Sequence, residues 1–327
     1  MVYLEPAHSA GDGADCDRCP RCQTEYPRVE GIRCVPADLD AFLEAQGEAL
    51  EPAWLPASDD PRGLPAWARA AASDPASDAF REAMLPGQYA MGHFPEGLPD
   101  GALARELSCN ARLVETVGAW LDEARPPEDT PADCALEVGC GPGRLLHELA
   151  GRLPRGALGL DVRLSMLRVA SRLAEPGHVV LPFRVEGARF APVRFAAPQP
   201  PAGPVHWLQG DGVQPPLVAE TFPLVVAMSL LDTVGDPLAV LGQLDALLAP
   251  GGLLLLGTPY HWEPAVTPPQ AWWPDGARMV RAALEQMAYD VLAESDGLPW
   301  VLPGHGRLTF RFLLDVLLAR KRSPRRE

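Results

Sequence analysis

Lysine is all but missing from this chain of 327 residues: Lys321 stands alone, and the rest of the positive charge is arginine. Acidic side chains outnumber basic ones by 43 to 28, and the formal net charge is -15. Proteins that grip nucleic acid usually present a basic face, so this balance weighs against RNA or DNA as the main partner, though a local basic groove stays open. Long apolar runs are also missing. No stretch approaches 18 uncharged apolar residues, so no membrane-spanning helix is expected. The N-terminus lacks the basic-then-apolar order of a secretory signal, and a cytoplasmic protein is expected. Seven cysteines are too few for a disulfide scaffold at this length. Four of them lie close together, a pattern that reads as metal binding in a cytoplasmic chain. What the chain does contain is 47% hydrophobic residues. That suffices for a packed core, and the length allows one large α/β domain with a small appendage. The oligomeric state is left open.

Three parts follow from the composition. Residues 1–37 hold the clustered cysteines. Residues 38–105 form a connector rich in Pro, Ala and Asp, broken at Leu55-Pro56, Asp60-Pro61 and Leu64-Pro65, with short helical patterns at 39–50 and 76–85. Residues 106–327 are regular. A helix is expected over 106–124, where Leu107, Ala111, Val114, Val117 and Leu121 repeat at helical spacing ahead of Pro126-Pro127. Strands are expected at 134–138, 157–160, 205–209, 224–228 and 253–257, with helices at 144–153, 164–174 and 237–248 between them. The irregular insert 176–204 offers short strands at 179–183 and 190–195. The tail reads as a helix over 277–294 and a last strand near 307–314. Strands alternating with helices argue a doubly wound, mostly parallel sheet, whose ligands sit outside the carboxyl ends of the strands.

At the first strand-to-helix turn, Glu137, Gly139, Gly141 and Gly143 read E-x-G-x-G-x-G. Glycine suits such a turn because a β-carbon resists its backbone angles and would hold a ligand away from the helix amides. Nicotinamide and flavin proteins use a related loop, but as G-x-G-x-x-G. Here an acid also precedes the first glycine, Asp161 ends the second strand, and Asp211, followed by Gly212, ends the third. A carboxylate at the second strand end can accept both ribose hydroxyls, and one at the third can reach an adenine amino group. The combination favours S-adenosylmethionine. The plainer reading is turn glycines and solvated acids in a fold that binds no nucleotide.

These residues resemble the class I S-adenosylmethionine-dependent methyltransferases over about residues 106–320. LEVGCGPGR (136–144) is similar to their first motif, GLDVRLSMLRVA (159–170) to the second strand and its helix, and LLAPGGLLLLGTP (247–259) to the late turn and strand. The resemblance implies a Rossmann-like, seven-stranded α/β sheet. It implies that Gly139, Gly141 and Gly143 line the methionine end of the cofactor, Asp161 holds the ribose, Asp211 the adenine, and Ser229, Leu230 and Leu231 flank the sulfonium. Pro223 departs from the pattern, standing where many relatives carry Asp. A narrower resemblance, over TPYHWEPAVTPPQAWW (258–273) and GLPWVLPGHGRLTF (297–310), is to domains that methylate 4-mercaptohistidine. It implies that Tyr260 and Trp262 face an imidazole-bearing substrate, although Pro274 follows Trp273 where that family has glycines. Trp262, Trp272 and Trp273 read equally well as packing residues.

Cys16, Cys19, Cys22 and Cys34 read C-x2-C-x2-C-x11-C, a candidate zinc set, since zinc takes four thiolates and C-x2-C knuckles supply neighbouring ligands. The stretch CPRCQTEYPRVEGI (19–32) resembles the second half of a zinc ribbon. A full ribbon has another knuckle upstream, and residues 1–15 hold no cysteine; His8 is a substitute candidate. Cys109, Cys134 and Cys140 read as small buried side chains. Methyl transfer needs a base only where the acceptor arrives protonated, and Asp232, Tyr260, His261 and His93 are the candidates. Tyr89 stands where it could close over the cofactor. The expected function is therefore methyl transfer to a small imidazole or amine. Two alternatives are an RNA methyltransferase that uses the ribbon and the basic tail, and a non-enzymatic partner protein with this fold.

Overall fold

The computed structural model describes residues 5–6, 16–19, 22–46, 78–98, 101–124, 134–176, 178–187, 189–197 and 199–323. Residues 47–77 of the connector, His8, and the arginines beyond 323 lie outside them. In chain order, β1 (Glu5–Pro6), β2 (Cys16–Arg18), β3 (Glu25–Val29), β4 (Ile32–Cys34) and α1 (Leu39–Gln46) precede α2 (Asp78–His93), α3 (Ala102–Leu107) and α4 (Ala111–Glu123). The alternating part follows: β5 (Ala135–Val138), α5 (Arg144–Ala150), β6 (Ala157–Asp161), α6 (Leu164–Ala174), the hairpin β7 (Val179–Glu186) and β8 (Arg189–Phe195), then β9 (Val205–Gln209), β10 (Phe222–Met228), α7 (Pro237–Leu247), β11 (Leu248–Thr258), α8 (Gly276–Gln286), β12 (Tyr289–His305) and β13 (Leu308–Lys321).

One sheet runs in the order β1-β2-β3-β4-β9-β6-β5-β10-β11-β13-β12. From β4 to β11 neighbouring strands are parallel, and β13 runs antiparallel to both β11 and β12. The largely apolar stretches of β5, β10 and β11 suit this position, because central parallel strands are covered on both faces. Their carboxyl ends all open on the same edge, and the candidate site lies there. No helix among the described residues is long and apolar enough to cross a membrane.

Eleven strands, not seven, make up this sheet, because the N-terminal segment adds four to its edge. β4 pairs with β9 (Arg33↔Leu208, Cys34↔Gln209), and the Val35 N–H donates to the Gln209 carbonyl at 2.9 Å. β3 and β4 are joined by Glu30-Gly31, both at positive φ (50° and 80°), a two-residue turn whose twist matches the strands. From that turn the Glu30 carboxylate pairs with the fully buried Arg168 of α6. A buried cation that loses its partner costs about 3–5 kcal/mol. Glu30→Asn keeps a residue that tolerates positive φ and removes the charge together with one methylene. We expect it to cost about 3 kcal/mol in urea unfolding; a loss within 0.5 kcal/mol, the range of ordinary surface substitutions, would show that the pair holds nothing.

Two tail expectations are corrected. The helix expected over 277–294 ends at Gln286, and β12 starts at Tyr289. The expected last strand near 307–314 is only the first half of β13, which continues to Lys321 along β11. The stretch Leu313–Leu318, apolar but for Asp315, suits either element, and pairing with β11 decides it. In the connector, the helix expected to stop at 85, ahead of Pro86, continues to His93. Proline removes one helix hydrogen bond, but tight packing holds the segment. A Cβ added at Gly87 would lie 2.5 Å from the Pro182 carbonyl oxygen, and one at Gly92 would lie 2.4 Å from Leu302. That extra length carries Tyr89 and His93 over the sheet edge.

Candidate active site

The glycine turn folds across the end of β6. The N–H groups of Gly139 and Cys140 donate to the Leu160 carbonyl at 2.8 and 3.2 Å. The Gly141 N–H donates to Asp161 Oδ2 at 2.8 Å, and the Arg163 N–H donates to Asp161 Oδ1 at 2.8 Å. All three glycines have positive φ, the left-handed region that only glycine enters freely. They do different work. A Cβ at Gly139 would come within 3.0 Å of Leu230, one at Gly141 would reach Tyr89 and His93 at 3.8 Å, and one at Gly143 would strike the Trp207 ring at 2.5 Å. Gly141 therefore has room for a Cβ, Gly139 is held close to Leu230, and Gly143 makes room for a core tryptophan.

Glu137 is buried on β5 and its Oε2 has no hydrogen-bond partner. Burial first, and the Asp161 charge second, hold its carboxyl well above the usual range. Burial also raises Asp161, against the pull of its backbone donors. On the loop after β9, Asp211 Oδ1 accepts the Val213 N–H at 2.8 Å, and the Gly210 N–H ties that loop to the Asp161 carbonyl at 3.0 Å. Gly212 lies against Val138. After β10, Ser229 sits at φ 51° and donates its N–H to the Gly257 carbonyl at 2.7 Å, which turns Leu230 toward Gly139. Glu137, Gly139, Gly141, Asp161, Asp211, Gly212, Ser229 and Leu230 thus meet at the ends of four neighbouring strands.

α2 covers this gathering. Burial raises the Tyr89 phenol, and the charges of Asp161 and Asp232 raise it further. His93 lies between Tyr89 (ring centroids 6.1 Å) and Trp300 (5.1 Å, edge to face). Burial, with Arg144 nearby, lowers its pKa to about 3, and its Nδ1 has no partner. Arg144 holds α2 in place, donating to the His93 carbonyl at 3.1 Å and to Glu96 at 2.7 Å. Asn110 fastens the far side: its amide donates to the Gly92 and Val301 carbonyls and accepts from the Val301 N–H. Tyr89 and His93 were legible as candidates by position alone, whereas Asn110, Trp300 and Asp315 carried no local signal of their roles.

The three residues expected to be catalytic lie on the loops beyond β10 and β11, and two are engaged elsewhere. Asp232 is 2% exposed and knits two loops together: Oδ2 accepts the His261 N–H at 2.8 Å and Oδ1 the Thr258 hydroxyl at 3.2 Å. The Tyr260 hydroxyl donates to Asp315 Oδ2 at 2.7 Å, and Asp315 is itself gripped by Arg281 at 3.0 and 3.1 Å. His261 is exposed and packs on Phe312 with ring centroids 5.6 Å apart. Trp262 stacks edge-on against Trp273 at 5.8 Å, and the Trp272 indole N–H donates to the Thr267 carbonyl, so these rings chiefly pack their own segment.

The described residues do not assemble the four-thiolate set. Alternation along β4 points Cys34 into the core beside Ile32, where burial pushes its thiol up to about 12. Cys22 is exposed, and hydrogen bonding with Thr24 and Cys19 lowers its thiol to about 7. The side chain of Cys16 lies outside the described residues. Among those described, no group of three or more His, Cys, Asp or Glu is placed to hold a metal ion.

Comparison with known proteins agrees with this geometry. Residues 108–302 match the family model described as a methyltransferase domain. The chain is 30% identical over 128 residues to the ubiquinone biosynthesis O-methyltransferase of Xanthomonas campestris, covering 39% of this chain and 44% of that one. It is 30% identical over 125 residues to an uncharacterized methyltransferase of Mycobacterium tuberculosis, covering 38% and 50%. The match thus spans half or less of the length of these curated relatives. Among solved structures, magnesium protoporphyrin IX methyltransferase from Synechocystis PCC 6803 aligns with a TM-score of 0.44 at 15% identity, covering 72% of this chain and 95% of that one. With well over half of its length matched by the family model, and with a glycine loop and buried acids meeting at the carboxyl ends of its parallel strands, the chain belongs to the methyltransferase-domain family.

Proposed function

We propose that the chain transfers a methyl group from S-adenosylmethionine to a small molecule, such as an imidazole or amine compound. The observation that carries this is the glycine loop hung from Asp161, with the orphaned oxygen of Glu137 on the adjoining strand and Tyr89 and His93 over Gly141. A buried acceptor without a partner costs about 1–3 kcal/mol, so this oxygen suits a ligand that brings donors. Asp161 would hold the ribose hydroxyls, Asp211 and Gly212 the adenine, and Glu137 the ammonium group. Gly139, Gly141 and Gly143 would form the turn around the methionine end, and Ser229 and Leu230 would flank the sulfonium. Residues 106–327 would carry the reaction, with 1–37 as a ribbon-like segment on the sheet edge and 38–105 as the connector that brings α2 over the site.

The cofactor supplies a methyl group already activated on a sulfonium. The chain then contributes mainly position, which can supply roughly 7–11 kcal/mol of a barrier. Leu230 and the glycine loop fix where the methyl sits. Tyr89 excludes water from above. His93 stays unprotonated at neutral pH and presents an uncharged ring toward Gly141. Asp232 and Tyr260 act through position, holding the 258–263 loop against the turn after β10 and the middle of β13.

Calorimetry tests this reading. The purified chain is expected to bind S-adenosylmethionine and S-adenosylhomocysteine at micromolar concentrations, and mass spectrometry should find a 14 Da gain on a member of a panel of small imidazoles and amines. Absence of binding to either nucleoside would overturn the reading in favour of a non-enzymatic partner role.

A further inference from the structure

We propose that the inner face of the β12–β13 hairpin is the acceptor subsite, and that it takes an uncharged, flat aromatic molecule. This rests on the methyl-transfer reading and narrows its substrate. The cross-strand pairs Trp300↔Phe312 and Leu302↔Phe310 put these four side chains on one face, because directly opposed residues of an antiparallel pair point the same way. α2 covers half of that face, with Trp300 on His93 and Leu302 against Gly92. Among the described residues, the other half is left partly exposed. Phe310 is 49% exposed and Leu308 42% exposed, and Phe310 stacks on Phe312 with centroids 6.5 Å apart. Gly304 on the facing strand leaves the space they occupy: a Cβ there would come within 2.8 Å of Phe310 and 2.9 Å of Leu308.

The partly exposed strip joins the donor site at two points. Through Trp300 it reaches His93, which faces Gly141. Through Phe312 it reaches His261, whose backbone Asp232 ties to the loop following Leu230. A molecule lying on Phe310 and Phe312 can therefore extend its reacting atom toward the glycine loop without leaving contact with rings. Trp300 and Phe312 carry no charge, and His93 is neutral at ordinary pH. A charged acceptor would shed water against them without a partner, whereas a flat ring gains stacking contact. The reading favours neutral heteroaromatic or aryl acceptors over alkylammonium ones.

The test uses the full chain saturated with S-adenosylhomocysteine and titrated with 2-naphthol, whose fluorescence reports its uptake. Leu313, 59% exposed on the opposite face of the same strand, supplies the matched control. The wild-type chain and Leu313→Asp are expected to bind 2-naphthol alike. Phe310→Asp and the milder Phe310→Ser are expected to bind at least tenfold more weakly, with melting temperature and S-adenosylmethionine affinity unchanged. The proposal is overturned if the wild-type chain takes up no 2-naphthol while still binding S-adenosylmethionine, or if both Phe310 variants bind 2-naphthol as the wild type does. A Phe310 effect confined to sedimentation or to partition onto phosphatidylcholine vesicles would also overturn it, and would assign the strip to a protein or membrane contact. Failure of the wild-type chain to bind S-adenosylmethionine would strike the methyl-transfer reading instead, so the two failures are distinguishable.

Discussion

Asp161→Ala is expected to weaken S-adenosylmethionine binding by about 100-fold or more, measured by calorimetry. The side chain has two duties. It accepts the Gly141 and Arg163 N–H groups at 2.8 Å each, which hang the glycine loop from the end of β6. In the proposed function it also accepts the ribose hydroxyls. Hydrogen bonds to a charged group contribute about 1.5–3 kcal/mol each, so losing two to the ligand while loosening the loop reaches at least 2.7 kcal/mol, or about 100-fold. The effect on stability is smaller. Burial raises the Asp161 pKa in the folded chain, so above its unfolded pKa the ionised group costs folding energy, and that cost fades as pH falls through the folded value. Alanine removes the desolvation cost together with the two backbone hydrogen bonds. An affinity equal to that of the wild type would sink the assignment of Asp161 to the donor.

The glycine loop gives the second large effect, and it separates two residues that look alike in sequence. Gly143→Ala is expected to destabilise the fold by about 3 kcal/mol: roughly 1–2 from forcing a side chain into the left-handed region and about 1–3 from overpacking, since the added carbon would meet Trp207 at 2.5 Å. Gly141→Ala pays only the backbone strain, because its nearest neighbours would stand at 3.8 Å. Its cost falls on the donor, whose space it enters, and affinity should drop at least tenfold. Urea unfolding and calorimetry on both variants check the split. Trp207→Leu added to Gly143→Ala should recover part of the lost stability. Equal unfolding losses in the two single variants would show that the loop glycines are interchangeable.

The contrast shows what kind of information each stretch of chain holds. Glu137, Gly139, Gly141, Asp161 and Asp211 are legible because strand ends are local features, and an acid at the end of an apolar run stays at the sheet edge however the strands are ordered. The functions of Gly141 and Gly143 are not legible, because Trp207 and α2, the groups each glycine faces, arrive from remote segments. α2 is foreshortened in sequence by Pro86, whose local penalty argues for a helix end. Packing of Gly87 on Pro182 and of Gly92 on Leu302 outweighs it, and so Tyr89 and His93 come to lie over the loop. The cysteine spacing pointed to four ligands, but the β4–β9 pairing turns Cys34 into the core. Tyr260 and Asp232 were credible bases as isolated residues. Asp315, 55 positions from Tyr260, and the backbone of His261 had already engaged them.

The sequence by itself determined the alternation of strands and helices, the glycine turn, and the acids at three strand ends, since each depends on periodicity or on neighbours a few residues apart. The tertiary structure alone decided that the N-terminal strands extend the sheet, that the stretch from Tyr289 is a strand, that α2 covers the site, and that Phe310 and Phe312 line a partly exposed strip beside it. Those outcomes turn on pairings between segments tens to hundreds of residues apart. There, the burial of whole faces outweighs the small local preferences that a sequence displays.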